Sequence, residues 1–251
     1  MPSLRGHPLE GLPEIRPGDD LAALIAAAAE PASLHDGTVV AIAHKVVSKA
    51  EGALVALADV SPGPRALELA AGTDKDPRAV QVILDETTEL MRAERGVLIC
   101  RTRHGFVCAN AGVDTSNAPD GDTVVLLPRD PDASARTLRA RLHELTGARP
   151  AVLISDSFGR AWRHGQLDVA LGLAGLAPLD DWRGRTDSRG LELAATWLAV
   201  ADAAAATADL ARAKDSREPV VLLDGLERFV SEDDGPGAAA LLRAREEDLF
   251  L

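Results

Sequence analysis

Three short apolar runs limit most strongly how this chain can fold. They lie at residues 38–43, 150–154 and 219–223, and none shows the alternation of apolar and polar residues that a half-exposed strand has. A continuous apolar run of this length is typical of a strand buried on both faces, in a sheet that helices cover. We therefore predict an α/β fold of the mixed α+β kind, with several short sheets.

The segments around these runs predict the remaining elements. Asp19 or Asp20 can cap a first helix, and Asp76 followed by Pro77 marks the start of another. The predicted helices are residues 21–30, 64–71, 76–92, 133–145, 191–214 and 238–251, the further strands are 96–100, 105–108 and 123–127, and the main polar loops are 157–165 and 180–190. Neither a phosphate-binding P-loop nor a dinucleotide G-x-G-x-x-G is present, so a Rossmann domain is not expected.

Composition and charge narrow the class of protein. The 251 residues carry a formal net charge of −12, with 46% hydrophobic and 26% charged residues, which predicts a soluble globular chain. No apolar run reaches the roughly 20 residues of a membrane helix. The segment from Met1 to His7 lacks the apolar core of a signal peptide, so we expect a single cytoplasmic domain. The negative charge argues against nucleic acid as a partner, although a local basic pocket or a bound cation would admit an anionic substrate.

The two cysteines and one histidine each allow two interpretations. Cys100 and Cys108 are too few for a disulfide framework or a structural zinc site. Cys108 could be a nucleophile, but a small buried residue on a strand is the favoured interpretation. His104, at the tip of a predicted hairpin, is either a functional residue or an exposed loop histidine.

A cluster of oxygen-bearing side chains follows the strand predicted at 105–108. Asp114, Thr115, Ser116 and Asn117 offer a carboxylate, two hydroxyls and an amide within four positions. Oxygen ligands of this kind suit magnesium or manganese. The same residues also form ordinary turns, because their side chains bond their own backbone. The pattern alone leaves both interpretations open.

Two lysines follow the first apolar run directly. Lys45 and Lys49 lie four positions apart, so a helix would present them on one face. In α/β proteins the residues just after a buried strand lie at the carboxyl edge of the sheet, where ligands bind. The alternative is a pair of solvated lysines.

A second polar group follows the apolar run at 150–154. Asp156 stands at the predicted strand end, Ser157 follows it, and Arg160, Arg163 and His164 come within the next eight positions. An acid at a strand end commonly holds a divalent cation beside phosphates, and the basic side chains could bind phosphate or carboxylate oxygens. The alternative is a polar loop whose arginines pair with surface acids.

Taken together, these segments resemble the coenzyme F-420-0:gamma-glutamyl ligase family. The stretches that carry the resemblance are Gly11-Leu12-Pro13, Pro17-Gly18-Asp19-Asp20-Leu21, Lys45-Val46-Val47-Ser48-Lys49-Ala50-Glu51-Gly52, Asn110-Ala111-Gly112-Val113-Asp114 with Ser116-Asn117, Leu127-Pro128 with Asp130-Pro131-Asp132 and Ser134-Ala135, Ile154-Ser155-Asp156-Ser157 with Gly159-Arg160 and Trp162-Arg163, and Glu192-Leu193 ahead of Ala201-Asp202. They occur in the family's order, and the resemblance is to the stand-alone form of the ligase.

The resemblance implies a function and its partners. It implies a two-lobed fold with several short sheets, and GTP-dependent addition of L-glutamate to coenzyme F-420-0, γ-linked when repeated. The carboxylate of the coenzyme would be activated as an acyl phosphate, with release of GDP and phosphate. It further implies Mg²⁺ or Mn²⁺ with two ions per site, K⁺ as an additional ion, and an intertwined homodimer.

The resemblance also implies roles for individual residues. Asp114 and Asp156 would hold one divalent cation and act in catalysis, and Ser157 would contact a second cation. The implied nucleotide contacts are Leu12, Pro13, Glu14, Ile15, His44, Lys45, Lys49 and Asn117. Chemistry adds Arg160 and Arg163 as candidates for phosphate or coenzyme contacts.

One departure from the family pattern leaves the second metal open. The family usually has a glycine-bearing segment with an acid near residues 212–218, and Asp224 stands where the family commonly has arginine. Either Asp215 or Glu218 replaces the missing acid, or Lys214 supplies positive charge to a phosphate directly. The alternatives for function are a ligase of the same fold with another carboxylate acceptor, a metal-dependent phosphohydrolase, and a non-catalytic deazaflavin or nucleotide carrier.

Overall fold

The structure is a computed structural model that describes residues 3–30, 33–114 and 122–248. Within these ranges the chain forms twelve β-strands and six α-helices. The strands are β1 (Arg5–Pro8), β2 (Val39–Ala43), β3 (Leu54–Ala56), β4 (Thr87–Glu94), β5 (Val97–Thr102), β6 (Val107–Ala109), β7 (Thr123–Val125), β8 (Ala151–Arg160), β9 (Arg163–Ala174), β10 (Leu179–Asp181), β11 (Trp197–Ala199) and β12 (Val220–Asp224). The helices are α1 (Leu21–Ala28), α2 (His44–Ala50), α3 (Pro64–Ala70), α4 (Pro77–Asp85), α5 (Pro131–Thr146) and α6 (Val200–Ala211).

The three apolar runs form neighbouring strands of one five-stranded sheet. Its order is β1-β12-β2-β8-β9, so β12, β2 and β8 are the inner strands. β2 and β8 run parallel, whereas the other neighbouring pairs of this sheet are antiparallel. The predicted mixed α/β architecture with several short sheets is confirmed, and the mixed strand directions differ from the parallel sheet of a Rossmann domain.

Helices cover both faces of this sheet, and alternate residues of each strand face opposite sides. Val152 and Ile154 of β8 pack in the core with α1 and α5, whereas Ala151 and Leu153 pack in the core with α6. The buried residues of α6 are Val200, Ala201, Ala204, Ala205 and Ala208. Because alanine side chains are short, α6 lies close to the sheet.

A second core lies around the three-stranded sheet β4-β5-β6. It contains buried residues from α3, α4, β5 and β7, among them Ala66, Ile83, Leu98 and Val124. This second group of elements agrees with the predicted two-lobed arrangement. Across the residues that the structure describes, no helix combines the length and the apolarity needed to span a membrane.

The helix predicted over residues 76–92 is too long. α4 ends at Asp85, and residues from Thr87 onward form β4, which pairs with β5. Thr87 Oγ1 donates to Ile83 O at 2.6 Å, within the last turn of the helix. The ladder to β5 therefore overrides the helical spacing of Leu90.

The helix predicted over residues 191–214 begins too early. Residues 197–199 form β11, which pairs with β10, and α6 starts only at Val200. Asp180 and Asp181 of the predicted loop 180–190 belong to β10. The sequence 191–199 has good helix formers, but backbone pairing across the β10–β11 ribbon decides its conformation.

Two further predictions are wrong in the described residues. In place of a terminal helix over 238–251, the chain forms short 3₁₀ turns at Ala238–Leu241 and Arg245–Glu247, and Leu242 between them is extended. In place of a loop over 157–165, β8 and β9 continue as a long hairpin that turns at Trp162, where φ is 58°. The pairing between β8 and β9 keeps the residues of the hairpin extended, and the local polarity of the sequence does not reveal this pairing.

Candidate active site

The predicted acids both contact the first turn of α2. His44 Nε2 lies 3.3 Å from Asp156 Oδ1, and Lys45 Nζ lies 2.5 Å from Asp114 Oδ2. Asp114 is held by backbone hydrogen bonds in both directions with Val125 of β7. Because His44 and Lys45 are consecutive, both carboxylates converge on one helical turn at the carboxyl edge of the parallel strands β2 and β8.

His44 is buried and fixed from both ring nitrogens. Its Nδ1 lies 3.4 Å from Ser48 Oγ, one turn further along α2, while Nε2 faces Asp156. A histidine with a partner at each nitrogen has its ring orientation set by those partners. His44 therefore holds the carboxylate of Asp156 at the sheet edge.

Lys49 is not a solvated lysine. It is only 8% exposed, and its Nζ lies 2.5 Å from Glu14 Oε1. Glu14 belongs to the predicted nucleotide-contacting segment 12–15, in which Ile15 is buried and Leu12 packs against the same core, while Pro13 is exposed. The structure therefore brings this segment to α2. The last predicted nucleotide contact, Asn117, lies with its neighbours 115–121 outside the described residues.

Asp156 and Ser157 face opposite sides of β8. Consecutive strand residues point to opposite faces, and Ser157 lies on the α6 side with Ser155. Their hydroxyls donate to the two carboxylate oxygens of Asp168, Ser155 at 2.9 Å and Ser157 at 2.6 Å. Asp168 of β9 is the register partner of Ser157. The predicted metal residues are therefore divided between two polar groups.

The chain after α6 completes the group around Ser157. Lys214 Nζ lies 2.9 Å from Ser157 Oγ and 2.6 Å from Asp209 Oδ1, and Arg212 Nη2 lies 2.5 Å from Asp168 Oδ2. Lys214, which sequence reasoning proposed as a phosphate ligand, thus lies beside the predicted metal residue Ser157. Asp215 is exposed, and neither it nor Glu218 has a described contact to Ser157.

Sequence reasoning missed Asp168, Asp209 and Arg212 as members of this group. A usable signal existed for Asp168, because it is a single acid between Leu167 and Val169 in an otherwise apolar stretch. A carboxylate at such a position must find partners when the strand is buried.

The two arginines of the β8–β9 hairpin are exposed. Arg160 Nη2 lies 2.5 Å from the carbonyl oxygen of His164, near the hairpin turn. Arg160 is four residues beyond Asp156 along β8, which is about 13 Å in an extended strand. The structure therefore places Arg160 and Arg163 towards the turn of the hairpin and away from Asp156.

Cys108 is a buried strand residue. Burial, and in addition the charge of Asp156, raises the pKa of the Cys108 thiol to about 12. Because the thiolate is the nucleophile, this thiol is poorly suited to covalent catalysis at neutral pH. His104 is partly buried; its Nε2 contacts the carbonyl oxygens of Pro128 and Arg129 at 3.0 and 3.1 Å, and burial lowers its pKa. Both residues therefore have structural roles.

Asp114 and Asp156 carry the carboxylate oxygens that a hard cation binds, and Lys45 Nζ already lies 2.5 Å from Asp114 Oδ2. Among the described residues, no group of three or more His, Cys, Asp or Glu side chains is arranged to hold a metal ion. Mg²⁺, however, keeps several waters and needs only one or two carboxylates together with substrate phosphates. A second cation fits less well at Ser157, since the ammonium of Lys214 already contacts that hydroxyl.

Comparison with known proteins gives a consistent result along nearly the whole chain. Residues 11–225 match the family model described as F420-0:Gamma-glutamyl ligase. The chain is 47% identical to a protein of Methanopyrus kandleri named coenzyme F420:L-glutamate ligase, over 100% of this chain and 98% of the relative. It is 44% identical to a protein of the same name from Methanothermobacter thermautotrophicus, over 96% of each chain. A third relative of that name, from Halobacterium salinarum, is 46% identical over 96% of this chain and 92% of its own length.

Proposed function

Because this chain belongs to the F420-0:gamma-glutamyl ligase family, we propose that it uses GTP to add L-glutamate to coenzyme F420-0. The observation that supports this most directly is the first turn of α2, where consecutive residues contact Asp156 and Asp114 at the carboxyl edge of the sheet. Phosphoryl transfer requires positioned charge at such an edge more than it requires a protein nucleophile.

The proposed reaction has two steps. A carboxylate oxygen of the coenzyme attacks the γ-phosphorus of GTP, so that an acyl phosphate forms and GDP leaves. The amine of glutamate then attacks the acyl carbon, phosphate leaves with the bonding electrons, and the amine loses a proton as the amide forms. Lys45 and Lys49 are the cationic side chains of α2 that would neutralise phosphate oxygens, and Glu14 and Asp114 hold them in place.

Asp114 and Asp156 are the residues that would hold Mg²⁺ or Mn²⁺. Such an ion would supply charge neutralisation on the transferring phosphoryl group. His44 keeps the carboxylate of Asp156 directed to the sheet edge, and the backbone pairing of Asp114 with Val125 fixes the other carboxylate. The proposed K⁺ ion has no assigned ligand in this arrangement.

Glutamate dependence separates the candidate functions. The protein is incubated with GTP, Mn²⁺, L-glutamate and coenzyme F420-0, and products are identified by mass spectrometry. A glutamylated coenzyme, formed together with GDP only when glutamate is present, supports the ligase. Release of phosphate at the same rate without glutamate would instead identify a phosphohydrolase. Binding of GTP or coenzyme without turnover would identify a carrier.

Lys49→Ala is expected to weaken GTP binding by at least about tenfold, while F420-0 binding changes little. A buried ammonium that meets phosphate oxygens makes charge-assisted bonds of about 1.5–3 kcal/mol. Calorimetric titration with each ligand measures both affinities. Lys75→Ala, in the turn before α4, is the matched control because it removes a lysine from the other lobe. Unchanged GTP affinity in Lys49→Ala would contradict a phosphate contact.

We further propose that two copies of the chain associate through the segment between β10 and α6. Leu191, Trp197 and Leu198 are exposed apolar residues of this segment. A surface of this kind is typical of a protein–protein contact. Leu198→Asp is expected to convert a dimer into a monomer in sedimentation velocity experiments, whereas Leu67→Asp, at an exposed position of α3, is expected to leave the dimer intact. A wild-type monomer would contradict the proposal.

A further inference from the structure

Asp168 is a buried carboxylate surrounded by hydrogen-bond donors. Its side chain is 0% exposed and accepts hydrogen bonds from Ser155, Ser157 and Arg212, with Lys214 Nζ at 3.7 Å. A buried charge is tolerated only when it is paired in this way. The two carboxylate oxygens have different partners. Arg212 and Ser155 donate to Oδ2, whereas Ser157 donates to Oδ1 and Lys214 Nζ lies nearest to Oδ1.

The contact with Asp168 determines the direction of the Ser157 hydroxyl. Ser157 has one proton, and a carboxylate can only accept it. The lone pairs of Ser157 Oγ are then directed to the other side, where Lys214 Nζ lies at 2.9 Å. An ammonium has donors and no acceptor. Asp168 therefore makes Ser157 an acceptor towards Lys214.

The same contacts leave one donor of Lys214 for a ligand. The ammonium has three N–H groups, and Ser157 and Asp209 accept two of them. The next acceptor among the described residues, Asp168 Oδ1, lies beyond hydrogen-bond distance at 3.7 Å. The side chain of Lys214 is 64% exposed, so the third N–H is accessible to an anionic oxygen.

We propose that Asp168 is a positioning residue for the ligation: through Ser157 it orients the ammonium of Lys214 towards a phosphate or carboxylate oxygen of a substrate. This proposal rests on the proposed ligase function. Asp168 itself is buried and touches no substrate. Its effect passes through the hydroxyl of Ser157, and Asp209 supports Lys214 from the opposite side.

The variant Asp168→Asn separates positioning from simple packing. Arg212 has only donors, so the amide oxygen of asparagine must face Arg212 and the NH₂ group must face Ser157. The hydroxyl of Ser157 then accepts from the amide, so Asp168 no longer holds its proton, and the lone pair that faced Lys214 is no longer fixed in direction. The side chain keeps its volume, but Lys214 loses its place.

A spectroscopic readout tests the positioning without turnover. The chain contains four lysines, so a protein labelled with ¹³C at the lysine ε-carbon gives few signals, and Lys214→Arg assigns one of them. The Lys214 signal is expected to shift in Asp168→Asn. It is expected to stay in place in Asp202→Asn, the matched control, because Asp202 accepts the N–H of Ala170 on the same strand without contacting Ser157. An unmoved Lys214 signal in Asp168→Asn overturns the proposal.

Kinetics then test the link to the reaction. We expect kcat to fall at least about tenfold in Asp168→Asn, with the KM for GTP changed by less than about threefold, because misplacement of a positioned group costs mainly turnover. The loss should disappear in a Lys214→Met background, since both changes remove the same contact. An equal further loss in that background overturns the proposal. Ser157→Ala, which should repeat the kcat effect, serves if Asp168→Asn does not fold.

The two readouts distinguish the possible failures. If wild-type protein forms no glutamylated coenzyme but the Lys214 signal shifts in Asp168→Asn, the ligase function fails and the contact through Ser157 remains. If wild-type protein forms the product but the signal and kcat are unchanged in Asp168→Asn, the function remains and the positioning role of Asp168 fails.

Discussion

Asp156→Asn is expected to lower kcat by at least about a hundredfold while the protein remains folded. Loss of a carboxylate that neutralises charge beside a phosphoryl group costs several kcal/mol of transition-state stabilisation, and about 1.4 kcal/mol corresponds to a factor of ten in rate. Asparagine keeps the shape of the side chain and can still meet His44 Nε2. Rates of product formation and thermal unfolding of both proteins provide the measurement.

The sheet offers a matched control for this substitution. Asp224 is also an acid at the end of an inner strand and also contacts a histidine, with His35 Nε2 3.2 Å from its Oδ1. Because β12 runs antiparallel to β2, Asp224 lies at the opposite edge of the sheet. Asp224→Asn is therefore expected to keep near-normal kcat. Near-normal activity of Asp156→Asn at limiting metal would show that Asp156 is not a metal ligand.

The strand ends could be predicted because they follow a rule of local sequence. A continuous apolar run ended by polar residues predicts a buried strand and the edge where its ligands bind. This rule places His44 and Lys45 after β2 and Asp156 near the end of the apolar part of β8. Contact of α2 with Asp114 depends on a loop from the other lobe, and only the family resemblance indicated it.

Local pattern marks Asp168 as a buried acid, but its partners could not be predicted from it. The formation of this group depends on the register of the β8–β9 hairpin, which pairs Ser157 with Asp168 across an eleven-residue separation. If residues 157–165 are interpreted as a loop, the register between β8 and β9 cannot be derived. The alternation that directs Asp156 and Ser157 to opposite faces of the strand is then missed as well. Polar side chains near a strand end are compatible with a loop or with a hairpin, and tertiary pairing decides between them.

Tertiary strand pairing also explains why the sequence predicts two helix boundaries wrongly. Residues 191–199 have helix-forming side chains, yet β11 pairs with β10, and Arg183 lies over the ring of Trp197 at 4.2 Å. Residues 87–92 could continue α4, yet most of them pair with β5 in a ladder that two bulges interrupt. Helix propensity differs by a fraction of a kcal/mol per residue and is easily outweighed by such pairing.

Arg139→Met is expected to lower the free energy of unfolding by about 3 kcal/mol or more. Arg139 is 1% exposed, although it is charged, and it lies where Gly175 has no side chain to block it. Its guanidinium donates to the carbonyl oxygen of Pro150 at 3.0 Å, to Asp234 Oδ1 at 2.8 Å and to the backbone of residues 231–232. Methionine fills much of the volume but leaves the carbonyl acceptors unpaired, and each buried group that loses its hydrogen bond costs about 1–3 kcal/mol.

Urea denaturation of the two proteins measures this difference. Arg141→Met is the control on the same helix, because Arg141 is half-exposed and its contacts with Asp20 and Glu144 lie at the surface, so its loss should shift the midpoint little. If the two variants lose the same stability, the contacts of Arg139 do not hold the segment at 231–234 against the sheet. A large loss in Arg139→Met alone would show that this polar, acidic segment is fixed by one buried cation, which its composition does not indicate.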